Sequence, residues 1–225
     1  MTSHADDDAM LPDGPSSVRV LGAATVRTAR VGPMDNNTYL VTCHRTGAQL
    51  LIDAAADPER LLALVREGSG SARLDLVITT HGHADHHGAL ESILAVTGAH
   101  NAAGVEDCPD LPVVVDRPLR HGDTVAVGDL TFDVVGLRGH TPGSVALVYR
   151  DTGGTTHLFS GDSLFPGGVG RTWEDPARFA QLLADVSERV FDVLPDDTVV
   201  HPGHGSSTTL GVERPQLPTW RARGW

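Results

Sequence analysis

Three imidazoles and a carboxylate fall within six residues at His81-Gly82-His83-Ala84-Asp85-His86. Groups of this kind are costly to crowd together unless something positive holds them. The flanking residues indicate how they are presented. Leu74 to Thr80 reads as a short buried strand, and Ala89 to Thr97 carries Leu90, Ile93 and Leu94 at helical spacing. The histidines therefore sit on the turn between the C-terminal end of a strand and a helix, where an extended loop points residues 81, 83 and 85 to one side. Taken singly, Asp85 could be a helix N-cap, His81 a strand-end hydrogen-bond donor, and His86 and His87 solvated first-turn residues. Taken together they predict a metal site, with His87 one step beyond it.

Three downstream turns supply more donors. His140 stands in the turn Arg138-Gly139-His140-Thr141-Pro142-Gly143-Ser144, between strand-like runs at Thr131 to Leu137 and Val145 to Tyr149. Asp162 follows the apolar strand that ends at Leu158-Phe159-Ser160-Gly161, and His204 follows Val199-Val200-His201-Pro202-Gly203. Each of these donors follows a strand and sits in a turn with little side-chain bulk, so the backbone can approach an ion. Five histidines and two aspartates are too many for one tetrahedral zinc, whereas two metals sharing one bridging carboxylate would use them all.

With these motifs in view, and with Asn36-Asn37-Thr38-Tyr39-Leu40 and Pro202 to Thr209 framing them, the chain resembles the metallo-β-lactamase fold superfamily. Within it, the chain is similar to glyoxalase II and the small glyoxalase-II-like hydrolases. The His-x-His-x-Asp-His signature is specific to the superfamily, and Gly161-Asp162-Ser163-Leu164-Phe165 followed by Gly170-Arg171-Thr172 narrows it toward that branch. The resemblance implies an α/β (α+β) fold, a four-layer αββα sandwich. It implies one metal held by His81, His83 and His140 and a second held by Asp85, His86 and His204, with Asp162 bridging. Two divalent ions are expected, zinc first, with iron or manganese as alternatives. Asp53 resembles the family's carboxylate that orients a metal-ligating histidine from behind.

The chemistry that follows is hydrolysis. Two such ions about 3.5–4 Å apart would hold a water between them and lower its pKa toward neutrality, so no separate protein base is required. Asp85 carries a catalytic part as well, orienting the water or shuttling a proton. The resemblance makes small thioesters the expected substrate class. A persulfide dioxygenase holding one iron through His81, His140 and Asp162 is the alternative, as is a lactonase. A zinc β-lactamase is disfavoured because Asp162 stands where those enzymes usually carry cysteine. Full-length glyoxalase II has a C-terminal helical extension that helps bind glutathione. Here 21 residues follow His204, so poor discrimination for glutathione is expected.

Around these motifs, residues 1–17 are polar and acidic and predict a disordered tail, and 18–225 predict a single domain. Val18 to Val31 and Thr38 to Asp53 read as strands. Asp57-Pro58 opens a helix with Leu61, Leu62 and Val65 inward and Gly68 closing it. A strand is expected at Val113 to Val115, a hairpin from Asp123 to Leu137, and a longer helix from Asp175-Pro176 burying Phe179, Leu182, Leu183, Val186 and Val190. The loop from Phe165 to Trp173 and the tail from Val212 to Trp225 are candidate pocket walls. Arg171 reads as a brace for the loop after Asp162. Trp173, Trp220 and Trp225 read as packing residues, although Trp173 is close enough to the site loop to line a pocket, and His121 and His201 read as structural.

The chain has 225 residues, 40% of them hydrophobic, enough to bury a core. A net charge of −12 argues against nucleic acid and against an anionic membrane surface as partners, leaving a small-molecule substrate. Cys43 and Cys108 are too few for a disulfide framework, and the N-terminus has no basic start or apolar signal core. A cytoplasmic location is therefore expected.

Overall fold

The computed structural model describes residues 15–224. Seven strands form the first sheet in sequential order: β1 (Ser17–Val20), β2 (Ala24–Val31), β3 (Asn36–Cys43), β4 (Gln49–Ile52), β5 (Leu76–Thr79), β6 (His100–Gly104) and β7 (Arg117–Leu119). The first four pair antiparallel, and β4 to β7 pair parallel. Parallel neighbours need a crossover. Helix α1 (Pro58–Gly68) supplies one, and the single turn α2 (Ala84–His87) with α3 (Leu90–Thr97) supplies the next.

The second sheet is built from β8 (Thr124–Val127), β9 (Leu130–Gly136), β10 (Val145–Arg150) and β11 (Thr156–Gly161). A small ribbon follows, β12 (Leu164–Phe165) with β13 (Gly168–Val169), before β14 (Val199–Pro202) and β15 (Thr208–Thr209) complete the sheet in the order β15-β14-β11-β10-β9-β8. Helices α4 (Pro176–Val186), α5 (Leu210–Glu213) and α6 (Leu217–Arg223) accompany it.

Strand alternation builds the layers. Tyr39, Val41 and Cys43 of β3 and Leu50 and Ile52 of β4 join Val145, Leu147 and Tyr149 of β10 in one core between the sheets. Leu40 and Leu51 turn the other way and pack with Leu61, Leu64 and Val65 of α1 and Leu90 and Ile93 of α3. Ala146 and Val148 likewise pack with Phe179, Leu182 and Val186 of α4 and with Trp220 of α6. Helix, sheet, sheet, helix is the expected αββα order. Both faces of each sheet are covered, which is why these strands read as near-continuous apolar runs.

Several expectations need correction. Residues 1–14 of the expected tail lie outside the described residues, but Ser17 already pairs with Thr28 in β1. The run from Val18 to Val31 is two strands broken at residues 21–23. On α1, Leu64 is fully buried where Leu62 was expected, because the inward face falls at 61, 64 and 65. Asp57 precedes that helix in a left-handed conformation without capping it, and its carboxylate accepts from the Gly32 amide instead. No strand forms at 113–115; the edge strand is β7, a few residues later. On the long helix, Asp175 does cap α4, accepting from the Ala177 and Arg178 amides, and Val190 is buried on a wider turn that follows it. Cys43 and Cys108 are free thiols. Among the described residues, no helix is long and apolar enough to cross a membrane.

Candidate metal centre

The turns after β5, β9, β11 and β14 bring all seven expected donors together. They form three overlapping groups whose ligand atoms lie within 4.8 Å of one another: His81, His83 and His140; His81, His86 and Asp162; and Asp85, His86 and His204. His83 Nδ1 is 3.0 Å from both His81 Nε2 and His140 Nε2. His86 Nε2 is 3.3 Å from His204 Nε2. The extended stretch expected through residue 85 ends at His83, and Asp85 and His86 sit on the single turn α2. Asp85 is not the N-cap; its Oδ2 faces His204 Nε2 at 3.4 Å and His86 Nε2 at 3.5 Å.

Asp162 faces both sides. Its Oδ1 is 3.5 Å from His86 Nε2, and its Oδ2 is 3.6 Å from His204 Nε2 and 3.7 Å from His140 Nε2. Oδ1 is buried with no hydrogen-bond partner among the described residues, an arrangement that is unfavourable for an anionic oxygen unless a cation meets it. The donor chemistry and this orphaned oxygen fit a divalent ion. Two glycines are required by the crowding. A Cβ at Gly203 would stand 2.2 Å from Asp162 Oδ1, and one at Gly170 would stand 1.8 Å from the Asp162 carbonyl.

The outward ring nitrogens fix how the imidazoles point. His140 Nδ1 faces the Arg171 carbonyl at 2.8 Å, and His204 Nδ1 faces the Met34 carbonyl at 3.0 Å. A carbonyl only accepts, so each Nδ1 carries the proton and each Nε2 presents its lone pair inward. His86 Nδ1 lies 2.9 Å from Asp53 Oδ2, and the Thr80 amide (2.7 Å) and hydroxyl (2.8 Å) also donate to this carboxylate. Asp53 thus orients His86 as expected, from a backbone held at φ 59° that only a constrained site retains.

Burial, reinforced by the neighbouring rings, holds the His81 pKa well below its ordinary value, and burial likewise lowers His83 and His140. Burial would also lower His86, but Asp53 and then Asp162 override it and push it up to about 10. For both acids burial opposes charge. The Asn36 hydrogen bond nevertheless holds Asp85 below the usual carboxylate range, and the neighbouring His86 ring does the same for Asp162.

The remaining candidates divide. Trp173 is a wall of the site rather than a core residue: it is 43% exposed, stacks on His140 at 5.3 Å, and meets His83 edge-on. Arg178 covers its ring at 4.6 Å. The Arg171 side chain is exposed, and its contribution is the backbone carbonyl that fixes His140. Trp220 packs in the core against Phe191, while Trp225 lies outside the described residues. His201 is buried and joined to His157 at 3.0 Å, a structural role as expected; His121 is exposed. His87 is buried, with Nε2 3.3 Å from the Gly82 carbonyl. The tail does reach the loop from 165 to 173, where Glu213 accepts from the Gly167 amide.

Two residues were missed. Asn36 Nδ2 donates to Asp85 at 2.9 Å and lies 3.3 Å from His86 Nε2 and His204 Nε2. Asp107 is fully buried behind the His81 turn and accepts from the Gly82 amide. The rule that located Asp162, a carboxylate in the turn after a strand, would have found Asp107 had residues 100–104 been read as a strand.

Residues 31–204 match the Metallo-beta-lactamase superfamily, and the chain belongs to that family. It is similar to the hydroxyacylglutathione hydrolase of Rhodospirillum rubrum, with 36% identity over 171 residues, 76% of this chain and 62% of that protein. The chain thus spans less than two thirds of that relative's length. Among solved structures it is similar to TTHA1623 in a di-iron-bound form, with TM-score 0.67, 34% identity and coverage of 85% of this chain and 98% of that one. It is also similar to ETHE1 from Myxococcus xanthus, with TM-score 0.74, 28% identity and coverage of 88% and 84%.

Proposed function

We propose that this protein is a metal-dependent hydrolase of small acyl thioesters that works with two divalent ions. His81, His83 and His140 would hold one ion, Asp85, His86 and His204 the other, and Asp162 would bridge. The observation that carries the reading is Asp162, which lies between the donor sets: Oδ1 faces His86, Oδ2 faces both His204 and His140, and the buried Oδ1 lacks a hydrogen-bond partner among the described residues. The similarity to a hydroxyacylglutathione hydrolase and to a di-iron-bound structure supports it. When bound, the ions would supply an activated water at neutral pH and polarise the substrate carbonyl.

The protein's own residues prepare that chemistry. Arg171, Met34 and Asp53 hold three imidazoles with Nε2 inward. Asp85, kept ionised by the Asn36 amide, is placed to hold or pass a proton at Oδ2. Trp173 presents an exposed aromatic face beside His140 and His83, a wall for the acyl or thiol portion of a substrate. The alternative, a single iron oxidising a persulfide, would use His81, His140 and Asp162, and the ETHE1 similarity favours keeping it in the test. It leaves His83, Asp85, His86 and His204 without a task, although all converge on the same space.

The test is metal analysis of protein purified without added metal, run beside an activity panel. The panel holds lactoylglutathione and other thioesters, a lactone, a β-lactam, and glutathione persulfide with oxygen uptake recorded. Two metals per chain, with thioester cleavage abolished by chelator and restored by zinc, is the expected result. A reproducible single iron with persulfide-dependent oxygen consumption overturns it.

A further inference from the structure

Asp107 follows β6 and is completely buried, and among the described residues it forms no ion pair. A carboxylate in that position is unfavourable unless its oxygens are satisfied. Three donors satisfy it, and they come from two different turns. Oδ2 accepts from the Gly82 amide at 2.9 Å and from the Thr141 hydroxyl at 2.5 Å, and Oδ1 accepts from the Gly143 amide at 2.6 Å. Gly82 separates His81 from His83, Thr141 follows His140 directly, and Gly143 stands two residues further on in the same turn. One side chain therefore joins the two turns that carry the first donor set, and it crosses from the first sheet to the second.

The packing leaves no slack. A Cβ on Gly143 would lie 2.5 Å from the Asp107 amide nitrogen and 2.7 Å from Oδ1. A Cβ on Gly104 would lie 1.8 Å from the Gly143 carbonyl. Thr141 and Ser144 close the turn through their hydroxyls, 2.5 Å apart. By contrast, Asp107 has no hydrogen bond to Asp85, His86 or His204, whose outer support comes from Asp53 and Met34.

The geometry points to Asp107 as a positioning residue dedicated to one ion: it sets the spacing of His81, His83 and His140 and leaves the second donor set untouched. This rests on the two-ion reading. Asparagine is the informative replacement. It keeps the volume, but its NH2 must confront either the Gly143 amide or the Gly82 amide and Thr141 hydroxyl, so one of the two turns is released.

The experiment measures zinc per chain after dialysis against graded chelator, with a thermal melt of each variant. The wild type should retain two ions. Asp107→Asn should release one of them at a roughly 10- to 100-fold lower chelator concentration while holding the other as before. Thr141→Val, which removes a single donor, should act in the same direction and less. In a His204→Ala background, which leaves the first donor set, Asp107→Asn should loosen the remaining ion. In a His83→Ala background it should not.

Asp107→Asn holding both ions like the wild type, or losing both in parallel, overturns the inference. If Asp107→Asn does not fold, Thr141→Val decides alone, and retention like the wild type overturns it. A wild type holding one ion overturns the two-ion reading, and the clamp stands only if Asp107→Asn loosens that ion. A wild type that binds no zinc overturns both.

Discussion

His86 and His140 both direct Nε2 into the site, but His86 does so against the Asp53 carboxylate and His140 against the Arg171 peptide carbonyl. The consequences differ. With a full negative charge behind it, His86 is pushed up to about 10 despite burial, whereas burial keeps His140 below its ordinary value. A carbonyl orients an imidazole without adding charge; a carboxylate does both and strengthens the ring as a donor. In the first donor set His140 is thus held by a backbone carbonyl and kept below its ordinary pKa, whereas in the second His86 is backed by Asp53 and faces Asp85. Asp162 joins them, so variants can be ordered by whether they strike both halves, one half, or neither.

Asp162→Ala strikes both and should have the largest effect. Among the described residues Asp162 is the carboxylate that faces both sets, and its removal leaves any two ions facing each other with less compensation. Metal content and thioester turnover should fall together, and the melting temperature of metal-loaded protein should drop. Elemental analysis beside a turnover assay checks this. Two tightly held metals with near-normal turnover would show that the halves do not depend on a shared bridge.

Asp53→Asn strikes one half. The amide cannot accept from Thr80 at both oxygens and also serve His86, so the second donor set loses its charged support. We expect one of two ions to bind roughly 10- to 100-fold more weakly, by chelator competition. Paired with Asp107→Asn, the variant should yield a protein that has lost affinity for both. Equal weakening of both ions by Asp53→Asn alone would erase the distinction between the halves.

Why some of this could be read from sequence and some could not follows from distance along the chain. His81, His83, Asp85 and His86 announce themselves because they are close together, and His140, Asp162 and His204 because each follows an apolar run into a glycine turn. The strands β3, β4 and β10 were legible as apolar runs for the same local reason. Asn36 and Asp107 were not. Each does its work through partners at least 25 residues away, 49 for Asn36 with Asp85 and 25 for Asp107 with Gly82. A lone asparagine or aspartate carries no local pattern. For Trp173 the sequence left packing and pocket lining both open, because its exposure depends on the turn geometry at Trp173 and Glu174, both at positive φ.

That turn allows a milder perturbation of the first half. Trp173→Ala removes the ring stacked on His140 and the surface under Arg178 while leaving every donor in place. The expected outcome is an increase in KM for a thioester of roughly threefold to tenfold, with kcat and metal content less affected, since a stacked aromatic contact contributes modestly beyond its area. Unchanged KM across the substrate panel would remove Trp173 from the pocket wall.

The smallest expected effect at neutral pH comes from histidines outside both halves. His157 and His201 stack in the second sheet with ring centroids 5.3 Å apart, joined by His157 Nδ1 and His201 Nε2. Burial, followed by the charge of Arg19, lowers His157 to about 4, with Asp151 opposing; burial and then His157 hold His201 well below its usual range. Tyr149 on β10 stacks on His157, and Phe159 on β11 and Tyr39 on β3 pack against His201. Both are neutral when folded and would take up protons when unfolded, where histidine titrates near 6.5. The unfolded state therefore binds more protons between about pH 4 and pH 6.5, so stability rises with pH through that window and is flat in this respect above it. The double replacement His157→Phe with His201→Phe should lessen the pH dependence of the urea midpoint between pH 6.5 and 5, compared with wild-type protein in the same metal-loaded state. Taking the difference between the two proteins cancels the titration of the metal-site histidines, which both share. Identical slopes would mean that the pair is not held neutral by the fold.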